Sequence, residues 1–221
     1  MKTQPKQNTG EPPSRAASLA LVGGALCLDF ANTSSGRGSS LCLEHLHNWQ
    51  HLLAWAEHAG AIDERGRRTI DASDRKTPLL GQAALGHALR LREAIHDVFR
   101  AIIASRNTPV HSMAILNDVL SEGMCIARIR NLGDGFFWGW AGKPTSFAQL
   151  LWPIARSAAE LLIGPELKRV KLCPGEGCGW LFVDRTRNGS RRWCEMEVCG
   201  SRAKMRRYHR RRRVRPSSAP L

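Results

Sequence analysis

The sequence predicts a mainly helical (α+β) N-terminal domain with a small β-hairpin, followed by a small C-terminal finger built on four cysteines. Three observations predict it. Apolar residues recur at helical spacing in four separate segments between 41 and 163. The period changes to alternation across 124–140, with Gly133-Asp134-Gly135 at the bend. Beyond Gly164-Pro165, four of the seven cysteines fall into two equally spaced pairs, and the charge changes too: residues 166–221 carry a net +11, residues 1–165 only +3. With 43% hydrophobic and 24% charged residues, the 221-residue chain can bury a core. This composition excludes a collagen, a coiled-coil rod, a mucin-like stalk and a multi-span membrane protein.

Residues 1–17 read as a flexible tail containing Pro, Lys and Gln. Lys2, Lys6 and Arg15 precede the apolar residues 16–28, which superficially resemble a secretory signal. Gly23-Gly24 splits that run, prolines 5, 12 and 13 crowd its basic flank, and Asp29 comes next without a small-x-small cleavage site. The odd cysteine number and the paired spacing fit a reducing cytoplasm better than a disulfide framework. No stretch reaches the ~18 apolar residues of a spanning helix.

The main domain is read as 18–165. Residues 19–30 suggest a short strand or buried turn, with Asn32, Thr33 or Ser34 available to cap the next element. A helix over 41–58 places Leu46, Trp49, Leu53 and Ala56 inward and stops at Gly60. A longer one over 82–105 aligns Ala84, Ala88, Leu91, Ile95, Val98, Phe99 and Ile102. Pro109 starts a third, with Met113, Leu116 and Leu120 inward and Gly123 as its stop. The hairpin comes after it, with Trp138 and Trp140 in its core. Thr145 or Ser146 caps a last helix bearing Phe147, Leu150, Ile154, Ala158 and Leu161, in which Pro153 implies a kink or a later start. Gly164 and Pro165 end it. That punctuation marks the domain boundary, so the finger, 166–213, is expected to fold separately; 214–221 reads as a second flexible tail.

Cys173 and Cys178 enclose four residues, fifteen separate them from the second pair, and Cys194 and Cys199 again enclose four. Such knuckles bring four sulfurs to one point, and thiolates in a tetrahedron suit Zn²⁺. Four cysteines also hold iron–sulfur clusters, which is the alternative. Gly175, Gly177 and Gly200 give backbone freedom around the ion. Residues 178–184 can form the strand leaving the first knuckle, and a helix is expected from Ser201. A treble clef or a zinc ribbon both satisfy this pattern. Four thiolates and a dication leave a net charge of −2, which Arg191, Arg192 and Arg202 beside the ligands can offset.

Cys173-Pro-x-x-x-Cys-Gly-Trp-x-Phe-x-Asp184, then Asn188-Gly-Ser-Arg-Arg-Trp-Cys-x-Met-x-x-Cys-Gly-x-Arg-Ala-Lys204, with Tyr208 downstream, closely resembles the CGNR-type zinc finger of bacterial proteins. In that family an N-terminal ABATE domain precedes the finger, and Gly23-Gly-x-Leu-Cys-Leu-Asp-Phe-Ala-Asn-Thr33 looks like its opening motif. The resemblance spans roughly residues 20–210. It implies zinc-dependent DNA binding and a role in regulating transcription. Two departures stand out. Cys-Gly-Asn-Arg is here Cys199-Gly200-Ser201-Arg202, with Ser a comparable N-cap. Glu195 stands where a small polar residue is common.

Residues 202–213 carry eight cations in twelve positions. As a helix, this segment is basic on nearly all sides and suited to a polyanion. The expected nucleic-acid-binding set is Arg191, Arg192, Arg202, Lys204, Arg206, Arg207, Arg210, Arg211, Arg212 and Arg213. Arg202 and Lys204, rigidly placed after the last cysteine, are the candidates for base contacts. Double-stranded DNA is the expected partner, in a cytoplasmic, nucleoid-associated protein whose larger domain senses something or mediates association. RNA is the alternative, with Trp180, Phe182, Trp193 or Tyr208 as stacking platforms. A redox-sensing zinc–thiolate protein is another. No membrane partner is expected, because no amphipathic apolar face accompanies the charge. His47 and His51, one turn apart beside Glu44, read as an exposed histidine face. Asp29, Asn32 and Thr33 read as capping, and Cys27, Cys42 and Cys125 as small buried hydrophobes. No catalytic constellation is present, and a hydrolase is disfavoured because four cysteines leave zinc no open position.

Overall fold

The computed structural model describes residues 15–214 except 38, 41, 75–77, 132 and 142–146. The chain enters through a 3-10 turn, Ala16–Ser18, that overlaps the end of the span read as tail, and Ala16 packs into the core. It bends at Gly23-Gly24, where Gly24 takes φ +77, and the Gly23 N–H donates to Asp29 Oδ1 at 2.7 Å. Helix α1, Leu26–Ala31, stands in place of the expected strand or turn. Five of its six residues are buried, including Cys27, Leu28 and Phe30. Two short strands, β1 (Ser34–Ser35) and β2 (Leu43–Glu44), pair antiparallel.

Helix α2 runs from Trp49 to His58 and starts later than its apolar spacing implies. Asn48, in extended conformation, caps it by accepting the His51 N–H at 2.9 Å. Leu46, Trp49, Leu53 and Ala56 are nonetheless all buried. Helix α3, Glu64–Asp74, had no apolar pattern to announce it: Ile70 is its buried apolar residue among the described side chains. Asp63 starts it by accepting the Gly66 N–H at 2.7 Å.

Helix α4, Pro78–Ile103, is the longest among the described residues and carries the buried face Ala88, Leu91, Ile95, Val98 and Phe99. It also buries Arg92, whose Nη1 and Nη2 donate to Glu44 Oε1 and Oε2 at 2.7 and 2.6 Å. Burial alone would raise the Glu44 pKa, but Arg92 and the N–H groups of His45 and Leu46 hold it below the ordinary range. This paired, hydrogen-bonded cation fixes the β1–β2 segment against α4.

Helix α5, Val110–Ile126, runs through Gly123 without stopping. That glycine serves packing: a Cβ there would lie 2.8 Å from the Trp152 side chain of helix α6, Trp152–Ile163. Pro153 is the second residue of α6, where no intrahelical N–H bond is lost, so the later start is the one realised. A 3-10 turn, Phe147–Leu150, precedes it. The expected caps Thr145 and Ser146 lie outside the described residues. The hairpin forms as expected from β3 (Ala127–Asn131) and β4 (Phe136–Trp140). It is not a core element: Trp138 is 45% exposed and Phe136 76%. Trp140 reaches the body, its ring 5.3 Å from that of Trp152.

Gly164 is extended (ψ 163) and leads through a 3-10 turn, Pro165–Arg169, into the antiparallel pair β5 (Val170–Leu172) and β6 (Leu181–Val183). Side chains of a strand alternate between faces. Leu181 and Val183 enter the core built by α1, α2, α4 and α6, as does Val170, whereas Phe182 enters a second core with Cys173, Cys194 and Cys199. One three-residue strand thus walls off two cores and belongs to both. The expected domain boundary near 165 is crossed by buried contacts. Asn32, just past α1, makes two of them. Its Nδ2 donates to the Leu181 carbonyl at 2.9 Å, and its Oδ1 accepts the Leu181 N–H at 2.8 Å. Asn32 and Thr33 therefore cap no following helix; the Thr33 hydroxyl donates to Phe30 O at 2.7 Å.

Replacing Asn32 with Ala leaves both Leu181 backbone groups unpaired in a dry interior, where each such group costs about 1–3 kcal/mol. Urea unfolding of the zinc-loaded Asn32→Ala protein should show a loss of about 2–4 kcal/mol. A loss under about 0.5 kcal/mol would mean that the clamp carries little of the stability.

Candidate metal centre and basic helix

The first pair of cysteines sits at the tip of the β5–β6 hairpin. Cys173 continues β5, its N–H donating to the Trp180 carbonyl at 2.8 Å, and Cys178 closes a turn onto the Gly175 carbonyl at 2.9 Å. Gly177 and Gly179 lie at φ +65 and +69, the left-handed region that favours glycine. Gly175 is needed for a different reason: a Cβ there would stand 3.0 Å from Cys199 Sγ. Of the second pair, Cys194 lies just before a π turn, Met196–Gly200, and Cys199 lies within it; the turn runs directly into helix α7, Ser201–Val214. Hairpin knuckle followed by helix is the treble-clef order and not that of a ribbon. Ser201 is the first helical residue and not its cap; its hydroxyl donates back to Met196 O at 3.3 Å.

The four sulfurs lie within 4.8 Å of one another, with Cys178–Cys194 and Cys194–Cys199 separations of 3.6 Å. A tetrahedron with Zn–S bonds of about 2.3 Å has edges of about 3.8 Å, so the cluster fits zinc. Among the described residues it is the one metal-like group of His, Cys, Asp and Glu side chains. As thiols the four compete for charge: hydrogen bonds from Cys178 and Cys194 pull the Cys173 pKa down, while the bond to Cys173 drives that of Cys194 up. A dication removes the conflict by accepting all four as thiolates.

Two polar residues hold this frame, and the sequence alone did not disclose their roles. Asp184, buried, accepts from the Thr186 hydroxyl at 2.6 Å, the Lys171 ammonium at 2.6 Å and the Arg191 N–H at 2.9 Å. Burial opposes its charge, but these donors keep its pKa well below the usual carboxylate range. Arg191 was expected at nucleic acid. Its guanidinium instead donates to the carbonyls of Val183, Val22, Trp193 and Cys194 and lies 4.5 Å over the Phe182 ring. It supports the ligand loop from beneath and ties it to the N-terminal segment. Asp29 lies close by, and burial pushes its pKa up to about 6 against the pull of the Gly23 N–H, Arg191 and His58. The signal for both Asp184 and Arg191 was their place inside the cysteine motif.

Arg192 is exposed, 5.0 Å from the Trp193 ring. On α7 the side chains of Arg202, Lys204, Arg206, Arg207, Arg210, Arg211 and Arg212 are exposed; that of Arg213 lies outside the described residues. Arg192, Arg206, Arg207 and Arg210 line one groove with Trp193. Of the expected stacking aromatics, Phe182 is fully buried and the Trp180 indole N–H is bound by Ser35 at 3.1 Å; Tyr208 is 51% exposed. Cys27 is buried, whereas Cys42 and Cys125 are exposed and are not core residues. His47 and His51 make an edge-on ring contact and join no metal-like cluster among the described residues.

Residues 24–165 match the ABATE family, described as "putative stress-induced transcription regulator", and residues 169–212 match the CGNR zinc finger. The chain belongs to the ABATE family. The cluster of four cysteines lies within the part matched by the CGNR zinc finger, at a spacing that supports Zn²⁺. No curated protein matches the chain. Neither family is one of enzymes, and no helix among the described residues is long and apolar enough to cross a membrane.

The purified ABATE protein should carry about one zinc per chain and no iron. Cys178→Ser with Cys199→Ser should abolish it. Arg191→Gln, which removes the support of Cys194 but no ligand, should weaken zinc retention about 10–100-fold in a chelator competition. Iron in elemental analysis, or zinc unchanged in the double variant, would contradict this assignment.

Proposed function

We propose that the protein is a zinc-dependent, double-stranded-DNA-binding regulator of transcription in which α7 is the recognition helix and the ABATE domain a sensing or association module. The observation that carries this reading is α7 itself. It is a fourteen-residue helix whose described side chains are exposed except for the half-buried Ala203, and it starts two residues after Cys199. A rigid origin and an unpacked basic body are what groove insertion requires. Arg192, Arg206, Arg207 and Arg210 around one groove, with Arg211, Arg212 and Arg213 beyond, supply phosphate contacts. Arg202 and Lys204, in the first helical turn, are placed to reach base edges. Arg191 is engaged by the finger's own backbone and leaves this set. The RNA reading draws less support, since burial of Phe182 and engagement of Trp180 remove two of its four platforms.

Replacing Arg210, Arg211, Arg212 and Arg213 with Gln should weaken binding to all duplexes alike and reduce the slope of log K against log salt by up to ~3.6, at about 0.9 per phosphate contact. Arg202→Gln, with zinc retained, should cost about 1–3 kcal/mol on a preferred site only. An unchanged salt slope, or RNA outcompeting duplex DNA at matched salt, would defeat the proposal.

A further inference from the structure

A cleft of about 470 Å³ opens between the ABATE domain and the finger. Its volume falls in the range of small-molecule sites. Its walls come from both sides of the junction: Arg15, Leu19 and Leu43 from the domain, and Trp180, Val198 and Arg202 from the finger. Leu43 and Val198 are 59% and 38% exposed, so the cleft has an apolar lining that the fold itself leaves uncovered. Among the described residues neither Arg15 nor Arg202 has an acidic partner, although they lie 187 positions apart in sequence. Arg206, also on the lining, is by contrast already paired with Glu176 at 3.2 Å.

Charge orients what can bind. Two carboxylates also line the cleft: Glu176, paired with Arg206, and Glu195 beside Cys194. Cys178, Cys194 and Cys199 form part of the lining, and zinc with four thiolates carries a net −2, so this part and Glu195 repel an anionic group. The guanidiniums of Arg15 and Arg202, without an acidic partner among the described residues, attract it; Arg202 also lies beside the thiolates, so Arg15 is the cation farther from them in sequence. We propose that the cleft is an effector site for a small amphipathic carboxylate, its anionic head held between Arg15 and Arg202 and its apolar body against Leu19, Leu43 and Trp180. The proposal rests, for its consequence, on the reading of α7 as a DNA-binding helix. Arg202 is the residue there assigned to bases, so a carboxylate that engages it lowers duplex affinity. Linkage then requires that duplex weaken carboxylate binding by the same factor.

The test uses the zinc-loaded full chain and monocarboxylates from benzoate to octanoate, with benzamide and octanol as neutral controls. Calorimetric titration, without DNA, should show a carboxylate bound at 1:1 and its neutral counterpart bound at least about tenfold more weakly, as expected for loss of a charge-assisted contact. Arg15→Gln and Leu43→Glu, both distant from the zinc ligands in sequence and on exposed side chains, should each weaken binding about tenfold or more with zinc content unchanged. Saturating carboxylate should reduce duplex affinity of the unaltered protein and not that of Arg15→Gln. The proposal is overturned if no carboxylate in the series outbinds its neutral counterpart, or if both variants bind as well as the parent. It is also overturned if Arg15→Gln weakens duplex binding in the absence of any carboxylate, which would make the cleft part of the DNA surface. Carboxylate bound at the cleft with duplex affinity unchanged would refute the regulatory consequence. Should the protein bind no duplex at all, the DNA reading falls while the direct titration still decides the site.

Discussion

The side-chain amide of Asn32 substitutes for a neighbouring strand. It offers Leu181 one donor and one acceptor, at 2.9 and 2.8 Å, as a backbone partner would. Strand β6 is three residues long and, among the described residues, has β5 alone beside it, so its outer edge needs such a partner once buried. Gly23 supplies the second, its carbonyl accepting the Val183 N–H at 2.8 Å. With its edge satisfied, β6 can be dry on both faces, Leu181 and Val183 toward the helices and Phe182 toward the sulfurs. The remainder of the molecule is arranged around that wall. Helix α1 is held where Asn32 and Gly23 must be, and α4 and α6 pack on α1. The knuckle loop rests on the domain through the Cys178 carbonyl at Gly36 N and the Gly179 carbonyl at His96.

Long periodic segments were legible because their periodicity comes from the burial that stabilises them. The α4 face and the inward residues of α2 follow directly from apolar spacing. The hairpin was legible from alternation and its Gly-Asp-Gly bend. Helix α3 was not, since its stability rests on an Asp63 cap and one buried Ile70, with no stripe to read. Gly123 misled because a glycine needed for close approach to Trp152 has the same spelling as a glycine that ends a helix. Trp138 misled because exposure of a hairpin face depends on what stands opposite, which is a tertiary fact.

The four-cysteine cluster was legible in the sequence, because tetrahedral geometry constrains spacing strongly. Its supports were not. Asp184, Lys171 and Arg191 are ordinary polar letters until folding brings them to one carboxylate or one set of carbonyls. Arg191 also shows why charge alone overstates a binding surface: a guanidinium with five donors can satisfy a loop's carbonyls as readily as a phosphate. The described cations of α7 differ in being exposed. Together these features tie the finger's position to the ABATE core.

Finger and domain share one wall, and amide hydrogen exchange with and without zinc is the sharpest test of that sharing. On chelation, exchange should accelerate not only across 170–200 but also in α1 and at Asn32 and Thr33, whose positions depend on β6. If chelation exposes only the finger while the α1 amides keep their zinc-loaded protection, the wall belongs to one core alone and the two units are not coupled through it.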